Sequence, residues 1–178
     1  MFYWDKICPG NTGHFDVTVK VKRAVKARDR SRSKNCISAT GFARIAVKKG
    51  QSILFKAFIS PLCDPRGWSI GEKILKFSGP RGFKDAKSSL ALSSEYPIGS
   101  LMFAYSEKNT HDVSEVWDIL NNSVLMYVNE NDGYDFKSST NNGYLYMMFN
   151  GMRDSIKNNV GSIMIEAYVE KKRIDIEK

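Results

Sequence analysis

The stretch "YLYMMFNGMRDSIKNNVGSIMIEAYV", Tyr144 to Val169, places two apolar runs on either side of a polar loop. The runs "YLYMMF" and "SIMIEAYV" are short, apolar and bounded by Asn and Gly, so each reads as a buried strand. Between them Asn150, Asp154, Ser155, Asn158 and Asn159 supply oxygens at close intervals. Two readings of that loop are open. It is a wide hairpin connection whose Asn and Gly residues satisfy turn geometry, or its oxygens converge on a hard cation, a sugar, or both.

Working outward, the same strand-and-turn pattern recurs. "FDVTVKVK" alternates, with Val17, Val19 and Val21 on one face and Asp16, Thr18 and Lys20 on the other. Two apolar runs, Phe42 to Val47 and Ser52 to Ile59, are divided by "KKGQ" and read as a hairpin with Gly50 in its turn. "GSLMFAYSE" and "SVLMYVNEND" add further strands, while Ser60 to Ser94 is rich in Pro, Gly and Ser and reads as long connections. One helix is expected around "THDVSEVWDILNN": Asp112 and Glu115 suit a capping pair, and Val113, Val116, Trp117 and Leu120 recur at helical spacing. "RIDIEK" reads as a charged tail. Many short strands and one short helix predict an all-β fold, a sandwich or jelly roll.

A chain of 178 residues with 42% hydrophobic content suits a single domain over 1–178. No run approaches the roughly 18 to 20 apolar residues of a membrane helix, and "MFYWDKICPG" lacks the order of a secretory signal. A cytoplasmic protein or export by a non-Sec route is therefore expected. Cys8, Cys36 and Cys63 are odd in number and widely spaced, which favours three thiols over a disulfide framework or a zinc site. The net charge of +8 is concentrated in one basic insertion or loop at about 20–35. There Lys20, Lys22, Arg23, Lys26, Arg28, Arg30, Arg32 and Lys34 oppose the single Asp29. Such a block is a solvated loop or a docking surface for polyanions, whose binding would fall steeply with salt.

Catalytic constellations are missing from the motifs. The two histidines, His14 and His111, stand beside no evident nucleophile. No nucleophile elbow, HExxH, phosphate-binding loop or dinucleotide fingerprint occurs, which leans against an enzyme.

The segment Tyr144 to Val169 resembles the carboxy-terminal calcium loop of the bacterial PA-I galactophilic lectins, which reads strand, Asn-Asp, a spacer ending in Thr, Asn-Asn-x-Gly-Ser, strand. "KKGQSILFKAFISP" and "YPIGSLMFAYSE" resemble two upstream strands of that family, so the likeness runs over about residues 40–169. It implies a galactose-binding-like jelly roll, a homo-oligomer, and non-enzymatic, calcium-dependent binding of galactosides. Residue by residue, it implies calcium ligands at Asn158, Asn159 and the Ser155 carbonyl, with Asp154 as a charge nearby, and a further backbone carbonyl near Pro61 to Cys63. Sugar contacts would come from Gly151, Met152 and Asn158. The chain departs from the family at Gly151, where an acidic ligand is expected, and loss of ligand charge weakens calcium affinity. It also lacks the family's His and Gln in the connection "FKDAKSSLALSS". Trp68, Phe83 and Tyr96 lie in the long connections, as rings that cover the end of the sandwich or stack on a sugar.

The reading is thus a lectin-like carbohydrate-binding sandwich. Two alternatives stay open: a polyanion-binding module acting through Lys20 to Lys34, and a protein-interaction jelly roll.

Overall fold

The computed structural model describes residues 35–70, 76–123, 126–127, 134–137, 141–169, 172–174 and 176–177. The expected strand at Phe15 to Lys22 and the basic segment Lys20 to Lys34 lie outside these residues.

Two antiparallel sheets face each other. The first has the order β1 (Cys36–Ser38), β9 (Val160–Val169), β3 (Ser52–Phe58), β7 (Tyr134–Lys137), with β4 (Trp68–Ser69) and β10 (Lys172–Ile174) also paired to β9. The second runs β2 (Phe42–Val47), β8 (Gly143–Phe149), β5 (Leu101–Ser106), β6 (Met126–Tyr127). The all-β sandwich is therefore as the sequence pattern predicts. Alternation does the sorting: in β3, Ile53, Phe55 and Ala57 are buried while Ser52, Leu54 and Lys56 are exposed. The buried set meets Ile45, Val47, Phe103, Leu145, Ile163 and Ile165 in the inter-sheet core. There the rings of Phe55 and Phe103 pack edge to face at 4.9 Å.

The near-continuous apolar run of β8 has a separate cause. Its alternate residues Tyr146 and Met148 point away from the inter-sheet core and are also fully buried, because α1 (Val113–Asn121) covers that face with Val116, Trp117 and Leu120. A strand buried on both faces loses the polar alternation. Asp112 caps α1 as expected, accepting from the backbone N–H groups of Ser114 and Glu115.

Four expectations need correction. The β2 and β3 strands are not a hairpin: β2 pairs with β8 in one sheet and β3 with β9 and β7 in the other. Gly50, at φ +72°, does sit in the turn, but the turn carries the chain from one layer to the next. The apolar sides of both strands then face one interior, whereas a flat hairpin would place them side by side. The link between β8 and β9 likewise passes between sheets. The carboxy-terminal residues are not a loose charged tail. β10 pairs with β9, Ile176 is buried, and Glu177 bridges Arg44 on the edge of the second sheet, so the chain end straps the two layers together. Arg44 completes the strap with an ion pair to Glu177 at 2.7 Å. Finally, Cys36 and Cys63 are not thiols but form a disulfide, joining the start of β1 to the turn after β3. A separation of 27 residues gives no spacing signature, and only the packing of β1 beside β9 brings the two together.

Candidate functional site

The polar loop spans the end of β8, a 3-10 helix (Arg153–Asn158) and the start of β9. Its oxygens have three different fates. Asn150 is fully buried and turned toward the 93–97 connection: its Oδ1 accepts from the Ser93 N–H at 2.9 Å, and its Nδ2 donates to the carbonyls of Ser93, Tyr96 and Pro97 at 3.1, 3.1 and 2.9 Å. With its backbone paired to Ser100 and Gly99, Asn150 is a clamp that folds the long connection onto the sheet, and its side-chain oxygen is not directed at a ligand. Truncation leaves a buried N–H and buried carbonyls without partners, so Asn150→Ala is expected to lose about 3 kcal/mol of stability, read as a lower urea midpoint with an unchanged m-value.

Asp154 and Asn158 are exposed on the 3-10 helix, while Ile156 between them is buried against the α1 cluster. Ser155 lies in the same turn. The neighbouring Arg153 bonds Asp118 on α1 at 2.9 Å, which fixes the outer side of the turn.

Asn159 is the exception. It is 3% exposed, and its Nδ2 donates to the Ala39 carbonyl at 3.3 Å. A carbonyl only accepts, so this bond fixes which way the amide points. Its Oδ1 is then buried with no donor, and a buried acceptor left unpaired is costly. Asn159 also has ordinary backbone angles, φ −71° and ψ 151°, so left-handed turn geometry does not explain the residue. Gly161 supplies that geometry instead, at φ +90°, and a Cβ there would lie 2.3 Å from the Gly67 oxygen.

Gly151 is brought to Asn159. A Cβ on Gly151 would stand 3.4 Å from Asn159 Nδ2 and 2.9 Å from the Phe149 ring. An acidic side chain at this position would therefore reach toward Asn159, and glycine leaves that charge out. Met152 is half-buried and bridged to Ala91. Among the described residues, no three His, Cys, Asp or Glu side chains gather into a metal cluster.

Two walls flank this point. One is the Ser38–Gly41 turn carrying the Ala39 carbonyl, a neighbour 120 residues away in sequence that no local pattern announces. The other is the 60–69 connection, where Cys63 N–H closes a turn on the Ser60 carbonyl and Trp68 pairs with Gly161. Asp64 in this connection takes two bonds from Arg66 at 3.0 and 2.9 Å, and these hold its carboxyl below the ordinary 3.8. The stabilisation is present above that value and fades as pH falls through the lower folded-state pKa. The rings divide as covering residues: Trp68 is fully buried, Tyr96 packs against the α1 cluster, and Phe83 is half-buried beside Gly99.

A cavity of about 620 Å³ lies at the opposite end of β8, lined by Val47, Gln51, Glu107, Asn142, Tyr144 and Glu177 among others. Several of its polar groups are engaged within the protein. Asn142 accepts from the Lys49 N–H, Glu107 from Asn141, and Glu177 pairs with Arg44.

No family model matches the chain, and no curated protein matches it in sequence. Among solved structures, a chain described as the EclA N-terminal domain, a PllA-like lectin, is similar at 20% identity and a TM-score of 0.37, covering 78% of this chain and 100% of that one. That likeness assigns no ligand and no residue role here. No helix among the described residues is long and apolar enough to cross a membrane.

Proposed function

We propose that this chain is a non-enzymatic, carbohydrate-binding sandwich whose ligand is held at the β8–β9 loop through a calcium ion seated against Asn159. The observation that carries the reading is the buried, unpaired Asn159 Oδ1, an acceptor that a cation would satisfy. The exposed Asn158 and the loop's backbone carbonyls would complete the protein's share of oxygens, with Asp154 as the nearby charge. Bound calcium would supply positive charge and, as the resemblance to the galactophilic lectins implies, coordination positions for two hydroxyls of a galactoside. Gly151 and Met152 would border the sugar without contributing charge. With neutral ligands the affinity should lie near the weak end of calcium sites, about 0.1 to 1 mM.

The test is a thermal melt of the full chain in chelator, in 10 mM calcium, and in calcium plus galactose. Calcium at about ten times its Kd should add about 1.4 kcal/mol, a rise of a few degrees, and galactose should raise the midpoint further only when calcium is present. Asn159→Ala should remove the calcium increment. A wild-type midpoint indifferent to calcium would mean that a buried water satisfies Asn159 and would end the calcium reading. Glycan binding that survives chelator but disappears at high salt would move the ligand to Lys20 to Lys34.

A further inference from the structure

We propose that His111 is the proton sensor of a latch that holds the carboxy-terminal strap and the start of α1 against β2, closed while its ring is neutral and loosened when the ring is protonated. The latch is built around Arg44. Its side chain is only 6% exposed, its guanidinium lies over the Tyr144 ring at 4.8 Å, and its two terminal nitrogens reach two other segments. Nη1 donates to the Thr110 carbonyl at 3.1 Å and to Asn109 Oδ1. Nη2 pairs with Glu177 Oε2 at 2.7 Å and meets His111 Nε2 at 2.8 Å. One cation thus joins β2, the connection leading into α1 and the chain end, where the Glu177 backbone also exchanges two hydrogen bonds with that of Arg44.

The chemistry of the contact fixes the state of the imidazole. A guanidinium donates through N–H groups, has no acceptor and does not lose its charge in a protein. The Arg44–His111 contact is therefore a hydrogen bond only while Nε2 carries no proton, which makes the ring neutral with its proton on Nδ1. In that state the four N–H groups on Nη1 and Nη2 have four acceptors, while Nε is buried without one. Protonation at Nε2 would remove one of the four and set an imidazolium 2.8 Å from a guanidinium. A second donor of a buried cation would then be left unpaired, which is costly.

Among the described residues, the charges around the ring do not offset that conflict. On α1 the Asp112 carboxylate accepts from the N–H groups of Ser114 and Glu115, and Glu115 pairs with Lys108 at 3.2 Å. Lys108 brings a further positive charge on the connection, and the amino terminus of α1, just after His111, presents the positive end of the helix dipole. Glu177 is already on the Arg44 guanidinium, so an imidazolium would gain it only by drawing it from Arg44, and that loosens the strap. His111 is exposed, so a proton reaches it without unfolding. An unfolded chain takes up this proton near pH 6.5. The latch therefore contributes fully above that pH and is lost as pH falls below it, where the unfolded chain binds a proton that the latched chain excludes.

Imidazole nitrogen shifts of the full chain at pH 7.5 should show His111 as the Nδ1–H tautomer. Between pH 7.5 and 5.5 the folding equilibrium constant of the wild-type chain should fall by about fivefold more than that of His111→Gln, whose side-chain oxygen stands in for Nε2 as an acceptor and does not titrate. His14 is common to both chains and cancels, and Asp64 and Glu115, both held below their ordinary carboxylate values, stay ionised over this range. Hydrogen exchange at the Glu177 N–H, corrected for its intrinsic rate, should accelerate by about fivefold over the same range in the wild-type chain and stay constant in His111→Gln. A proton found on Nε2 at pH 7.5, equal losses of stability in the two chains, or a Glu177 N–H whose protection ignores pH would each overturn the latch.

Discussion

Trp68→Ala is expected to lower stability by about 4 kcal/mol, within the range for deleting a large buried ring. Trp68 is completely buried, with its ring edge to face against Phe149 at 4.9 Å. Its indole N–H donates to the Gly99 carbonyl at 2.7 Å and to that of Gly79 at 3.2 Å. One side chain thus joins the 60–69 connection, the 78–100 connection and the end of β8, and its backbone pairs with Gly161 at the edge of the candidate loop. Truncation would open a cavity and leave carbonyls without their donor, so the melting temperature should fall by roughly 10 °C or more for a domain of this size. Trp68→Phe keeps most of the apolar volume and loses only the donor, and should lose about 1 to 2 kcal/mol. Equal losses in the two variants would mean that the hydrogen bonds and not the packing anchor the ring.

The second large effect belongs to the disulfide. Reducing Cys36–Cys63, or replacing Cys63 by Ser, releases a loop closed over 27 residues, and the chain-entropy relation puts the loss at about 3.5 kcal/mol. Paired urea melts with and without reductant measure it directly. Alkylation of the unreduced chain in denaturant should label at most one of its three cysteines, and all three after reduction. Two labels or more on the unreduced, denatured chain would show that the bond does not form. Because the bond anchors the turn beside Asn159, the reduced protein should also show a smaller calcium increment than the oxidised one.

The longer strands β2, β3, β5, β8 and β9 were readable from the chain as short apolar runs, with burial on one face imposing a period of two in β3, whereas β1, β4, β7 and β10 were not. The helix was readable because Asp112 announces its start and four apolar residues recur at helical spacing. Partnership was a different matter. "FARIAV" and "SILFKAF" are equally good strands whether they pair with each other or cross between layers. The choice rests on their apolar sides meeting Leu145, Phe103 and Ile165 from distant parts of the chain. The carboxy-terminal residues looked like a tail because their charges dominate. Their fate follows from Arg44, a buried cation whose partner Glu177 is supplied 133 positions later.

The loop shows the same division at single-residue scale. Its composition marked it as an oxygen-rich connection, yet Asn150 and Asn159 are chemically identical and serve opposite ends. Asn150 lies against the 93–97 connection, whose donor and carbonyls satisfy its amide. Asn159 lies against a turn that offers it one carbonyl and no donor, so its oxygen remains unpaired. Local pattern sets which segments become strands, helix and turns, because those preferences arise within a few residues of backbone and side chain. Which strands share a sheet, which cysteines meet and which of two asparagines keeps a free oxygen depend on contacts between segments far apart in the chain, and those exist only once the two sheets have closed.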